Sequence, residues 1–401
     1  MKKYIFFSLI FTVLALNNAN SQVADKYLIK AGILANVNSY EEASTAINQT
    51  SATDNKKYNK IAGDVYYGLK DYQKALEFYN NSEKNESGLS LLEIARCYVM
   101  IGNSSKSVEN LKKYFSSKNK LPISKIVNDA AFTKYKNDAE WLSLWQNVDY
   151  SEVEKVINQV NSASEMDYNE YFSKILDDAL AKYPNNPELI YKQSKYLESK
   201  NLLDASLKSI NRALELKSTN DLFHFQKSNV LTKKQNYKEA LTSINNSLAR
   251  NPFKLEYYLL RIEINRILGN NDKVSEDVSF IDFCAPESVE VRLAKTKIEY
   301  EKGNYLTALK EISALIQNDQ SKVEYYILRG NIGLKSKKLK NADEDFGMAL
   351  DLNPLNAEAN LGKALAKYQM EDKKSACYYW QKASNEGNRE AKELLNKYCG
   401  N

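Results

Sequence analysis

The chain has 401 residues, 43% of them apolar and 27% charged, with a formal net charge of +5. That balance suits a folded soluble protein, and without a long Lys/Arg run it does not argue for nucleic acid as a partner. Thirteen glycines are few for such a chain, and strands and hairpins would need more turn residues.

Residues 1–21 read as an export signal. Lys2 and Lys3 open it, Ile5 to Leu16 is mostly apolar, and Ala19 and Ser21 stand at the −3 and −1 positions for cleavage before Gln22. The apolar run is too short to span a bilayer as a helix, which disfavours the rival reading of a membrane anchor. No cysteine lies near the cut, so no lipid anchor is indicated. Loss of the segment removes two lysines and no acid, leaving the mature chain at +3. The Asn- and Lys-rich composition and the Ser-Gln junction resemble exported Gram-negative chains of the Bacteroidota type, which implies a periplasmic location.

Three repeats follow, at about 24–55, 56–87 and 88–119, because Ala43, Ala75 and Ser107 recur at equal spacing, slightly closer than in the later repeats. Tyr40-Glu41-Glu42-Ala43 and Tyr72-Gln73-Lys74-Ala75 open the second helix of the first two. Gly63 and Ala95 are the small residues of the first helices, and Gly102-Asn103 is the turn of the third repeat. The period breaks over 120–152, where Leu121-Pro122, Phe132, Trp141 and Trp145 suggest an irregular helical insert. Two readings stand: the aromatics pack onto the ends of neighbouring repeats, or the insert is a hinge or docking knob between two arms.

From Val153 a second array keeps phase, with repeats beginning at about 153, 187, 221, 255, 289, 323 and 357. Pro184, Pro252, Pro286 and Pro354 are spaced by two, one and two lengths of a single period. Ala240, Ala308, Ala342 and Ala376 share one phase, and Ala179, Ala213, Ala349 and Ala383 another. Glu256-Tyr257-Tyr258-Leu259-Leu260-Arg261 returns two periods later as Glu324-Tyr325-Tyr326-Ile327-Leu328-Arg329. The first repeat of this array is weak, with Phe172 where alanine usually stands, and the turn of the last reads as about two residues longer than the others. The array ends near Gly387, and residues 388–401 supply a capping helix, which a solenoid needs to cover its last apolar face.

A 34-residue period with small residues at the helix crossings resembles the tetratricopeptide repeat. Gly330, Ala342, Phe346, Ala349 and Pro354 match that family's positions 8, 20, 24, 27 and 32. The resemblance implies an all-α solenoid, a right-handed superhelix of antiparallel helix pairs, that binds peptides on a concave face lined by the first helices. The Lys and Asn of the family's carboxylate clamp fall at positions 5 and 9. Position 5 here holds Tyr191, Phe225, Leu259, Leu293, Ile327 and Leu361, so the lysines are missing although Asn229 and Asn331 match at position 9. The clamp is therefore absent. The row of Tyr191, Phe225, Leu259, Leu293 and Ile327 is either an apolar strip for an extended segment or helix, or packing inside a tight groove. The implied function is a non-enzymatic scaffold or adaptor in the bacterial envelope, as in an outer-membrane or secretion assembly, with a protein or peptide partner. Alternatives are a periplasmic holdase and an accessory subunit of a cell-wall enzyme. No cofactor, metal, nucleic acid or small-molecule substrate is implied.

Little in the chain reads as catalytic. The one histidine, His224, falls at position 4, which packs inside the repeat, and the four cysteines lack zinc-ligand spacing. Lys227, Arg261, Lys295, Arg329 and Lys363 recur at position 7. Asp277, Glu311 and Asp345 face the middle three from the second helix of the same repeat, where internal salt bridges are expected. Lys227 faces Ser243 and Lys363 faces Tyr379, which leaves both freer to bind. In an oxidising compartment Cys377 and Cys399 are expected to pair, because they lie on either side of the turn near Glu386-Gly387 at depths that differ by only about 4–5 Å; the alternative is two unpaired thiols. The stretch from Ala376 to Cys399 also resembles a terminal unit of bacterial repeat proteins. Cys97 and Cys284 fall in different arrays and are expected to remain thiols.

Overall fold

The computed structural model describes residues 26–51, 53, 56–117, 120–135, 137–166 and 168–400, so the export signal expected at 1–21 lies outside the described residues. Among those residues every regular element is a helix. Consecutive pairs come first: α1 (26–36) and α2 (Tyr40–Gln49), α3 (Lys56–Gly68) and α4 (Tyr72–Asn85), α5 (Leu91–Met100) and α6 (Ser104–Phe115). The insert holds α7 (Ile123–Val127), a 3₁₀ turn at Thr133–Tyr135 and α8 (Ala139–Gln146). Then come α9 (Glu152–Met166), α10 (Glu170–Lys182), α11 (Pro187–Ser199), α12 (Leu203–Leu216), α13 (Asp221–Lys233) and α14 (Tyr237–Arg250). The series continues with α15 (Leu255–Ile267), α16 (Asn271–Cys284), α17 (Val289–Glu301), α18 (Tyr305–Asn318), α19 (Val323–Lys335) and α20 (Leu339–Leu352). It closes with α21 (Ala357–Gln369), α22 (Lys373–Asn385) and α23 (Arg389–Cys399). The chain packs as two compact units, one ending at Asp277 and the other beginning at Val278.

The backbone repeats as strictly as the sequence. Apart from α9, the first helices end at residues of positive φ: Asn38, Lys70 and Gly102 in the early repeats, then Asn201, Gln235, Gly269, Gly303, Lys337 and Glu371. The next N–H turns back to the carbonyl five residues earlier, as in Ser39 to Leu34, Asn236 to Leu231 and Asp372 to Lys367, each at 2.9 Å. This closure satisfies carbonyls that a helix end would otherwise leave bare. Glu371 stands in the same phase as Lys337, so the last repeat's turn has the ordinary length; the two-residue extension expected from the sequence is not there.

Side-chain caps start many of the helices. Asp71, Asn103, Asn169 and Asp372 each accept a hydrogen bond from the N–H three residues on, opening second helices. Asn186, Asn220, Asn356 and Asn388 cap first helices and the closing helix in the same manner. At the far end, α10, α14, α16 and α20 stop two residues before Pro184, Pro252, Pro286 and Pro354, which cannot continue a helix.

Within a repeat, the two helices cross where one side chain is small. A Cβ on Gly63 would lie 2.5 Å from the Tyr79 ring, and one on Gly330 would lie 2.8 Å from Phe346. The far face of the Phe346 ring meets Gly362 of the next repeat, where a Cβ would come within 2.3 Å. One fully buried ring thus joins two repeats. Where serine replaces the small residue, its hydroxyl is consumed across the crossing: Ser107 Oγ donates to Ala95 O at 2.8 Å, Ser206 Oγ to Ser194 O at 2.7 Å and Ser228 Oγ to Ala240 O at 2.9 Å.

The insert is packed. Phe132, Trp141, Ile126 and Leu144 share a core with Leu92, Val108, Leu111 and Phe115 of the third repeat. Trp141 Nε1 donates to Ser104 Oγ at 2.8 Å, and Arg96 pairs with Asp129 at 2.6 Å. Both backbone groups of Leu121 are taken by tyrosines: its N–H donates to Tyr114 Oη and its carbonyl accepts from Tyr150 Oη, each at 2.7 Å. Of the two readings of 120–152, these contacts support filler on the third repeat.

In the second unit Cys377 and Cys399 are joined by a disulfide with their Cα atoms 5.8 Å apart. The bridge ties α23 to α22, where Trp380 and Ala383 meet Ala391, Leu395 and Tyr398. Phe346→Ala should cost about 3–5 kcal/mol, because the vacated space touches two repeats. Urea unfolding monitored by far-UV circular dichroism measures it, and a change below about 1 kcal/mol would mean the ring does not hold the pair.

Candidate binding faces

The position-5 residues do not share one fate. In the first unit Tyr191, Phe225 and Leu259 are half-buried on α11, α13 and α15. Tyr191 stacks on Phe223 with ring centroids 5.0 Å apart, and Phe225 lies 4.7 Å from Tyr257. Burial pushes the Tyr191 hydroxyl up to about 12. Each ring is therefore braced by the next first helix while part of its surface stays open. In the second unit Leu293 is half-buried against a core that includes Ile327, which is only 6% exposed. Ile327 and the 9%-exposed Leu361 lie in the packing of their repeats. Asn229 and Asn331 are half-buried.

The position-7 cations are mostly spent. Arg261 grips Asp277 with Nη2–Oδ1 at 2.6 Å, and Arg329 grips Asp345 at 2.5 Å. Both aspartates are buried, so these forks sit in the repeat interior. Burial raises the Asp345 carboxyl, with the Arg329 guanidinium pulling it down. Lys295 reaches Glu311 at 3.4 Å and also Asp282 at 3.2 Å. Lys363 was expected to lack an acid, but it pairs with Asp343 of the preceding repeat at 3.1 Å while lying over the Tyr379 ring. Its partner lies upstream of its own repeat, so the pairing has no counterpart in the spacing within one repeat.

A cleft of about 690 Å³ in the first unit was not visible in the sequence. First helices α3 and α5 bring Lys60, Asp64, Tyr67, Glu93 and Arg96 to its wall, and the turn at 250–254 closes it. Lys60 Nζ lies 2.6 Å from Asp64 and 3.4 Å from Glu93, and Asp64 also accepts from Tyr79 Oη at 2.8 Å. Burial opposes the Lys60 charge, but the two carboxylates outweigh it and raise its pKa. Burial raises the Asp64 carboxyl by desolvating its charge, against the downward pull of the Lys60 ammonium and the Tyr79 hydroxyl.

The remaining singled-out residues have structural surroundings. His224 is half-buried with a ring nitrogen 2.9 Å from Ser218 O, and desolvation lowers its pKa. Cys97 is buried, and its thiol is pushed up to about 12, away from reactivity. Cys284 is buried as well. Among the described residues no group of three or more His, Cys, Asp or Glu could hold a metal ion, and no helix is long and apolar enough to cross a membrane.

Arg261→Ala should destabilise the chain by about 2 kcal/mol by leaving the Asp277 carboxylate buried without its guanidinium. The pair Arg261→Met with Asp277→Leu should restore most of that loss. Urea midpoints of the three variants measure both effects; a single variant as stable as the parent would show the fork to be idle.

No family model matches this chain. It is 23% identical over 323 residues to a TPR repeat-containing protein of Methanocaldococcus jannaschii, a match that takes in 75% of this chain. The chain spans about half the length (52%) of that curated relative. Among solved structures it resembles a tetratricopeptide repeat protein from Parabacteroides merdae, with a TM-score of 0.54, 21% identity, and coverage of 62% of this chain and 99% of that one. It also resembles the APC/C hetero-tetramer Cut9–Hcn1, with a TM-score of 0.53, 14% identity, and coverage of 91% and 81%. The 34-residue phase, the small-against-ring crossings and these likenesses agree: the chain is a tetratricopeptide-repeat solenoid.

Proposed function

We propose that the chain is a non-enzymatic scaffold that binds another protein on the first-helix faces of its repeats and serves as an adaptor in the cell envelope. The observation that carries this reading is the set of Tyr191, Phe225 and Leu259, held half-open at one position of three successive repeats. Braced rings and aliphatic groups at a repeat spacing suit an extended segment or helix, since little side-chain entropy is lost on contact. Two features support an exported setting. The Cys377–Cys399 bridge belongs to an oxidising compartment, and the pattern of residues 1–21 has the layout of an export signal.

The test is capture from envelope extract with the chain lacking residues 1–21. The parent should return one stoichiometric partner, and Phe225→Glu with Leu259→Glu should lose it with the helical circular dichroism unchanged. A broad, non-stoichiometric set of clients would favour a holdase instead. Retention of the partner by the double variant would remove the first-helix faces from the account.

A further inference from the structure

The turn at 250–254 (Arg-Asn-Pro-Phe-Lys) is seated on the first helices of the amino-terminal repeats, far upstream in the chain. Asn36 Nδ2 donates to Phe253 O at 2.9 Å, and Lys57 Nζ donates to Arg250 O at 2.9 Å. The Phe253 ring lies on Gly32, so close that a Cβ there would be 2.4 Å from Cδ1, and Lys57 Nζ stands 5.2 Å from the ring centroid. An amide and an ammonium from two first helices thus read main-chain carbonyls, while a glycine floor accepts an aromatic ring. These are the parts with which a groove holds an extended peptide.

The turn is presented ready-made. Asn251 Nδ2 donates to Asp221 at 2.9 Å, Tyr258 Oη donates to Pro252 O at 3.1 Å, and Arg250 donates to Ser218 O at 3.2 Å. The equivalent residues after Pro184, Pro286 and Pro354 (Asn185, Glu287 and Leu355) are all exposed, Leu355 at 67%. Phe253 is the aromatic of this set, and it is half-covered. The cleft beside it runs on past Lys60, Tyr67 and Glu93, so the seated turn fills one end of a longer groove.

We propose that the Arg250–Lys254 turn is a resident ligand of the amino-terminal groove, and that the groove's partner is an extended protein segment with an aromatic side chain, which enters by displacing it. This groove is separate from the Tyr191–Leu259 faces, and the proposal does not depend on them. A resident ligand weakens an external one by the fraction of time the groove is open, so a turn released about a tenth of the time costs tenfold in apparent affinity.

The experiment uses the full chain and a synthetic peptide of residues 248–256, titrated by fluorescence anisotropy. Phe253→Ala should bind the peptide at least about tenfold more tightly than the parent, and adding Gly32→Leu should abolish that binding. Equal affinity of the parent and Phe253→Ala, no binding to either included, would overturn the proposal. Spin labels at Glu42 and Thr242 of the parent give a second readout that needs no variant at the turn. Excess peptide should lengthen their separation, and an unchanged distance distribution would overturn displacement even if Phe253→Ala failed to fold.

Discussion

Everything in this chain depends on two helices coming closer than ordinary side chains allow. At Gly330 and Gly63 the backbone of a first helix touches a ring from the second, and at Gly362 the same Phe346 ring touches the next repeat. Such contact gathers the dispersion energy of a close-packed interior, and it fixes where along each helix the crossing falls. Once the crossing is fixed, so is the phase of the turn, which is why a left-handed residue recurs once in every repeat from Asn201 to Glu371. Four of the turn residues in these repeats, Asn201, Gln235, Lys337 and Glu371, are not glycine and bear a conformational cost of about 1–2 kcal/mol each. The crossings and the Schellman hydrogen bonds must offset it.

This constraint also sets what the repeats can offer a partner. On the second helices Tyr79, Phe346, Asp277 and Asp345 turn inward. On the first helices Tyr191 and Phe225 are braced but half-open, and Asn36 and Lys57 read the carbonyls of the 250–254 turn. The insert adds no arm of its own; its tryptophans extend the core of the third repeat. The Cys377–Cys399 bridge holds α23 over the apolar face of α22 that Trp380 and Ala383 present.

How much of this could be read beforehand follows from which interactions are local. The period was legible because Ala342, Phe346 and Pro354 each answer to a contact inside one repeat. The Arg261–Asp277 and Arg329–Asp345 forks were legible for the same reason, but the burial of both aspartates was not, since spacing alone does not fix depth. Contacts between successive repeats were harder. Lys363 takes Asp343 from upstream, and Ile327 sinks into a core completed by its neighbours, neither of which a single repeat reveals. The seating of Phe253 on Gly32 joins segments of two arrays with different periods, so no pattern in the chain announces it.

The central claim, that small-against-ring crossings set the fold, has one direct measurement: the stability of Gly330→Ala against that of Gly347→Ala, two substitutions in the same repeat. A Cβ on Gly330 falls 2.8 Å from Phe346 Cζ with Gly362 behind the ring, whereas one on Gly347 meets only the flexible end of Lys363 at 3.2 Å. The account predicts that Gly330→Ala lowers stability by about 1–3 kcal/mol through overpacking, and that Gly347→Ala leaves it unchanged or raises it by up to about 1 kcal/mol through helix propensity. Equal shifts for the two in urea unfolding would contradict it.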